Sequence, residues 1–397
     1  MKTKETYKLL ENYNIMHINN VNLFASIILL IASFCDIMVQ MKGERCNLRR
    51  FNLMEEYSSI ISNSNIINLI SKIHEYKGKQ SYLLDTKKNT LETLLKVAKI
   101  QSTSSSNKIE GIYTTDKRIE EIVNQKLEPK NRNEEEIAGY RDVLTLIHEN
   151  YNFIDINQNT ILQLHRDLYK YTGYSYGGKF KNSQNFIEEE NEKGEKKIRF
   201  TPLSPALTPI AIEELCKNYN ELLNNESCDL LVLIPIFILD FVSIHPFNDG
   251  NGRMSRLLTL LLLYKADYMV GKYISIEKII EETKDSYYDT LEKSSIKWHS
   301  NENDYSYFVE YYLGIILNAY KDFDSRINIF KNKKITAYDR LINIFKNNII
   351  PIDKAFIINK CPDISETTIE RTLNKLLKED KIVKISGGRY TKYKWNK

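Results

Sequence analysis

Twelve consecutive residues, His245 to Arg256, read H-P-F-N-D-G-N-G-R-M-S-R and gather a titratable base, a carboxylate, two glycines and two guanidiniums. Gly250-Asn251-Gly252 lets backbone N–H groups approach an anion closely, where a helix N-terminus already carries partial positive charge. Arg253 and Arg256 stand three apart and so project from one side of that helix. Asp249 is a hard oxygen ligand suited to Mg²⁺ held between phosphates. His245, with an ordinary pKa near ~6.5, can take the proton of an incoming hydroxyl. Singly, each element is weak: a lone histidine usually packs or faces water, and a lone G-x-G is common. The whole string between two apolar segments points to phosphate chemistry.

Those segments must position the loop. Leu230 to Ile244 is the most apolar stretch in the body of the chain, and Pro235 and Asp240 within it favour a central buried helix over a membrane span. A second apolar helix covers Leu257 to Tyr264. Upstream, Glu55 to Ile100 has helical periodicity, with Ile66, Ile70 and Ile73 on one face and Leu91, Leu94 and Ala98 on another. Further helices open at Asn133-Glu134-Glu135-Glu136 and run from Asn157 to Tyr171. Between them and the apolar pair, Asn185-Phe186-Ile187 and Lys197 to Phe200 read as two short strands joined by a turn at Lys193-Gly194. The tail, 336–397, reads as helices near Leu341 to Phe345, Ile352 to Ile358 and from Ser365, then a hairpin. That order is the winged-helix arrangement, with Lys321 to Lys334 as linker. The expected fold class is mainly α.

Composition sets outer limits. The 397 residues allow two or three domains, and 56 basic against 52 acidic residues give a net charge of +4, too balanced to announce nucleic acid by itself. Five cysteines without a C-x-x-C pair argue against a disulfide framework or a structural zinc site and for a reducing cytoplasm. Leu23 to Cys35 is apolar but short of the roughly 18–20 residues a spanning helix needs. An untranslated extension with Met41 or Met54 as the start, a packed or interfacial helix, and an anchor all stay open for it; no membrane role is expected.

On the loop's residues the sequence resembles the Fic family, whose signature is H-x-F-x-[DE]-G-N-G-R-x-x-R; every specified position matches. The resemblance extends from about Glu55 to Arg326. It implies an all-helical Fic core with a β-hairpin flap, Mg²⁺ and ATP as cofactor and substrate, and AMP transfer to Ser, Thr or Tyr hydroxyls of proteins, the chain itself included. By that resemblance His245 is the base and Asp249 the metal ligand. Asn251 with the Gly250 and Gly252 amides forms the phosphate cradle, Arg253 and Arg256 hold the outer phosphates, and Phe247 anchors the loop. The flap around Asn185, Phe186 and Ile187 would align a target segment by strand pairing. Ser106-x-x-x-Glu110-Gly111 matches the inhibitory motif [ST]-x-x-x-E-[GN]. A carboxylate can grip a guanidinium at two points, so Glu110 is expected to occupy Arg256 and leave ATP misaligned.

The chain is thus divided into 1–54, an N-terminal extension; 55–130, a helical region with the inhibitory motif; 131–326, the Fic domain; and 336–397, the winged helix. The tail's Lys384, Arg389, Lys392 and Lys394 suit phosphate contacts, so DNA and a homodimer join protein substrates as partners the reading allows. Two other functions stay open: a nucleotide-sensing winged-helix transcriptional regulator, and a related Fic transfer or AMP removal.

Overall fold

The computed structural model describes residues 51–396 except 87, 191–195, 224–227, 332–335, 349–350, 386–387 and 389–390. The apolar run Leu23 to Cys35 lies outside the described residues, as do Lys193-Gly194 and Arg389. No described helix is long and apolar enough to cross a membrane.

Helices dominate. In chain order they are α1 (Leu53–Ile60), α2 (Ser64–Thr86), α3 (Lys88–Ile109), α4 (Asp116–Gln125), α5 (Arg132–Asn150) and α6 (Gln158–Leu168). A two-stranded flap follows, β1 (Ile187–Glu190) and β2 (Lys196–Phe200), then α7 (Thr208–Leu223), α8 (Leu230–Ile244), α9 (Asn251–Lys265), α10 (Ile276–Glu282), α11 (Lys284–Ser295) and α12 (Ser306–Lys331). The last unit holds α13 (Ala337–Asn347), β3 (Ile352–Asp353), α14 (Lys354–Lys360), α15 (Glu366–Lys378), β4 (Ile382–Lys384) and β5 (Lys392–Trp395).

The centre is α8, buried on every side from Leu231 to Phe241. Its 15 residues make a rod of about 22 Å, too short for a ~30 Å hydrocarbon layer. Buried Asp240 Oδ1 accepts hydrogen bonds at 2.7 Å from Trp298 Nε1 and Tyr305 OH, so the one carboxylate in this helix is held by partners inside the core. α7 and α9 pack against α8, α2 lies along α12, and α3 is held between α5 and α10.

Several boundaries differ from the sequence reading. Phe51 and Leu53 are 4% and 1% exposed and belong to the main core, so the folded body begins before residue 54. The helical pattern read as far as Ile100 continues through Ser102 to Ser106, which are part of α3. The stretch read as a linker continues α12 to Lys331, because Phe323 and Ile327 extend its buried stripe. Ile352 and Asp353 do not start a helix: they pair antiparallel with β5, and Asp353 then caps α14 by accepting from Phe356 N. The sheet order is β3-β5-β4. This unit has its own small core around Leu341, Phe345, Ile357, Ile369, Leu376 and Ile382.

The flap strands are antiparallel, Ile187 opposite Phe200, with an irregularity before Glu188. β1 starts later than expected, after Asn185 and Phe186, and β2 one residue earlier, at Lys196.

Candidate active site

His245 terminates α8 in the left-handed conformation, φ +51°, with its N–H donating to Phe241 O. Its Nδ1 lies 3.3 Å from Val242 O. A carbonyl only accepts, so Nδ1 carries the proton and Nε2 keeps its lone pair. Burial pushes the ring's pKa down to about 4, with Lys181 adding like charge while the Val242 carbonyl, Glu110 and Asp249 oppose the shift. The imidazole is therefore neutral near pH 7, the state a general base needs.

The loop after His245 is fixed from within. Asn251 Oδ1 accepts from Phe247 N and its Nδ2 donates to Phe247 O, both at 2.9 Å. Both ends of the expected phosphate-binding amide are thus occupied in holding the loop, and what Asn251 offers an anion is its backbone N–H. Phe247 is fully buried and stacks on His165 at 3.7 Å.

α9 begins without a side-chain cap. Asp229, Ser275 and Ser365 cap α8, α10 and α15 by accepting from first-turn N–H groups, whereas Gly250 precedes α9 at φ +83° with nothing to accept. Those first-turn donors are left for an anion. Gly250 is required twice over, since a Cβ there would also lie 2.9 Å from the Tyr169 ring.

Asp249 is half exposed beside this terminus, with Oδ1 accepting from Gly250 N at 2.7 Å and Oδ2 3.8 Å from Arg253 Nη2. Among the described residues no group of three or more His, Cys, Asp or Glu could hold a metal ion alone. A single accessible carboxylate does fit Mg²⁺ delivered on phosphates, which keeps most of its ligands as phosphate oxygens and water.

The two arginines part company. Arg253 is 1% exposed, ion-paired with Glu136 Oε2 at 2.7 Å, and donates to Tyr169 OH at 2.6 Å. It is committed to the interior and not to the open face expected for an outer-phosphate ligand. Arg256 is likewise buried but reaches α3: Nε donates to Ser106 Oγ and Nη2 to Ser106 O, each at 2.8 Å, and Nη2 to Glu110 Oε1 at 2.7 Å. The predicted two-point carboxylate grip is a single contact, because Ser106 occupies the guanidinium's Nε. Glu110's side chain is about a third exposed, just before Gly111 at φ +77°. It comes so close to α9 that a Cβ on Gly252 would lie 2.2 Å from its Oε1. α3 is tied down behind it, Ser102 donating to Glu277 Oε2 at 2.7 Å and Ser105 to Glu281 Oε2 at 2.5 Å.

Four contributors were not anticipated: Glu136, His165, Tyr169 and Lys181. His165 Nδ1 accepts from Gly178 N and its Nε2 donates to Asp249 O, both at 3.0 Å, so this neutral ring braces the loop from below. Burial lowers its pKa to about 4. Lys181 and Asn185 reach the loop from the flap side, and Asn185's amide is spent there, leaving half-exposed Phe186 and partly buried Ile187 at the flap's free face.

Residues 155–263 match the model of the Fic/DOC family. The protein adenylyltransferase Fic of Aedes aegypti is 29% identical over 170 residues, 42% of this chain and 28% of that protein. Its counterpart in Drosophila melanogaster is 32% identical over 118 residues, 29% of this chain and 21% of its own length. The Nematostella vectensis protein is 25% identical over 211 residues, 50% of this chain and 45% of its own. The matches thus span less than half the length of these relatives. A Fic family protein from Desulfovibrio desulfuricans G20 superposes with TM-score 0.55 at 19% identity, covering 84% of this chain and 96% of that one. A Fic-domain signalling protein from Bacteroides thetaiotaomicron gives 0.52 at 22%, covering 65% and 95%. The chain therefore holds a Fic/DOC-type segment within the helical fold of those structures.

Proposed function

We propose that this chain transfers AMP from ATP to Ser, Thr or Tyr hydroxyls of proteins, itself among them, and that Glu110 restrains it. One observation carries this reading: a neutral His245 with Nε2 unoccupied stands five residues before Gly250, the uncapped start of a helix whose Arg256 is held by Glu110. The hydroxyl oxygen attacks the α-phosphorus, the bond to pyrophosphate breaks, and the hydroxyl proton passes to Nε2. The first-turn amides of α9 stabilise charge growing on the phosphate oxygens. Mg²⁺ met by Asp249 would neutralise part of that charge. The adenylyltransferase names of the relatives point the same way.

Restraint follows from the same contacts. While Glu110 sits against Gly252 and Arg256, its carboxylate repels phosphate oxygens and keeps the guanidinium from them. DNA binding by the tail has weaker support: the first turns of α15 expose Glu366 and Glu370, bridged by Lys354 at 2.7 Å each, where phosphate contacts would need positive charge. The test of function is to incubate Glu110→Gly with Mg²⁺ and either [α-³²P]ATP or [γ-³²P]ATP. Label is expected on protein only from the α position; label from the γ position would make it a kinase, and none from either would remove the transferase reading.

A further inference from the structure

We infer that Lys181 is a positioning residue for His245: with Asn185 it grips the carbonyls on both sides of the base and holds it in its left-handed backbone conformation. This rests on His245 acting as the base. Four consecutive carbonyls take part. Ile244 O accepts from Lys181 Nζ at 3.1 Å, His245 O from Asn185 Nδ2 at 3.3 Å, Pro246 O from Lys181 N at 2.9 Å, and Phe247 O from Asn185 Nδ2 at 3.0 Å. Lys181 Nζ also donates to Asn185 Oδ1 at 2.9 Å, locking the two side chains together.

The grip answers a local problem. A non-glycine residue at φ +51° persists only where its surroundings enforce it. Carbonyls turned out of a helix end also need donors, and this segment supplies them in register. Lysine is an unusual choice for the task, because it is 3% exposed and no carboxylate among the described residues pairs with it. A methionine would fill the same volume without desolvating a charge. What only the ammonium adds is donation to Ile244 O and Asn185, together with positive charge beside the imidazole. The charged groups acting on His245 are Lys181, Glu110 and Asp249; only Lys181 disfavours the imidazolium. Burial lowers the pKa of Lys181 itself to about 8, so most of it is charged at neutral pH. Asn185 stands two residues before β1, so a segment lying on the flap is one side chain removed from the carbonyl of the base.

The experiment compares full-length Glu110→Gly with the same chain carrying Lys181→Met, Lys181→Arg or Asn185→Ala. It reads kcat and KM for ATP, thermal unfolding, and the NMR titration of the His245 ring, assigned by loss of its signal in His245→Ala. Lys181→Met should lower kcat about 10- to 100-fold, the scale of a misplaced catalytic group. KM should stay within about twofold, and the His245 midpoint should rise. Lys181→Arg should keep the midpoint depressed. Asn185→Ala should lower kcat in the same direction and stands in if Lys181→Met does not fold. Parental kcat in both Lys181→Met and Asn185→Ala, with an unmoved midpoint, overturns the proposal, as does a loss explained wholly by a smaller folded fraction. If the Glu110→Gly parent transfers nothing, the proposed function falls, while the His245 midpoint still decides whether Lys181 acts on this ring.

Discussion

From Ile244 to Phe247 every backbone carbonyl accepts a hydrogen bond from the 181–185 segment, and Asn251 and His165 brace the same loop from inside. At the end of α3, Glu110 reaches Arg256 through one oxygen, with its side chain about a third exposed and a glycine directly after it. One region is held at every carbonyl; in the other, the restraint proposed for Glu110 rests on one contact, beside which Ser106 holds the guanidinium by two hydrogen bonds. Preorganisation belongs where charge develops in the transition state. Restraint belongs on a contact whose release requires little of the fold.

Breaking the fixed side at the chemistry itself should have the largest effect. His245→Ala in the Glu110→Gly chain is expected to lower AMP transfer by about 10²- to 10⁴-fold while nucleotide affinity, read by calorimetry, stays close to the parent's. Equal rates would mean that the loop's rigidity serves something other than proton transfer.

A brace, in contrast to the base, should give a smaller loss. Asn251→Ala strands the buried Phe247 N–H and removes one donor to its carbonyl, and is expected to slow transfer roughly 10²-fold. Stability should fall by about 1–3 kcal/mol in urea unfolding. Unchanged stability would show that Asn251 faces the ligand and not the loop.

pH separates the two regions more gently. Because burial holds the pKa of His245 at about 4, transfer by Glu110→Gly should change less than about twofold between pH 7 and 5.5. A histidine with the ordinary value near 6.5 would lose about tenfold over that range. The same burial acts on stability. His148, His165 and His245 have folded pKa values of about 3, 4 and 4, below that of the unfolded chain. Below pH 6.5 the unfolded chain therefore binds more protons, and stability is lost as pH falls toward 4. Rates must be read where unfolding is absent, and an acid limb near 6.5 in folded protein would contradict the buried-base reading.

The sequence was most legible where function is contiguous. The loop and the two apolar helices beside it are legible from neighbouring residue types, whereas the Ser106–Glu110 motif stands out only through the family resemblance. Roles created by tertiary proximity were not. Lys181 and His165 look like surface or packing residues until the fold sets them against the loop. The pairing of Arg253 with Glu136 and Tyr169 joins helices far apart in sequence. The helical periodicity ends at Ile100 in the sequence because serines carry no apolar stripe, yet Ser102 and Ser105 find glutamates on α10 and α3 runs on. The lysines near residue 330 suggested a linker, but Phe323 and Ile327 keep that stretch helical against the core. A two-residue strand such as β3 has too little pattern to be seen before its partner β5 is known.

The contact between Glu110 and Arg256 offers the most direct measurement. Self-labelling rates with excess Mg²⁺ and [α-³²P]ATP are compared for the unsubstituted chain, Glu110→Gly, Arg256→Ala and the double variant. A charge-assisted contact contributes about 1.5–3 kcal/mol, so Glu110→Gly should be about ten- to a hundredfold faster. The double variant should lose that gain, because the guanidinium released is the one the phosphates need. A Glu110→Gly chain no faster than the unsubstituted one, or a double variant as fast as Glu110→Gly, would contradict the restraint through Arg256.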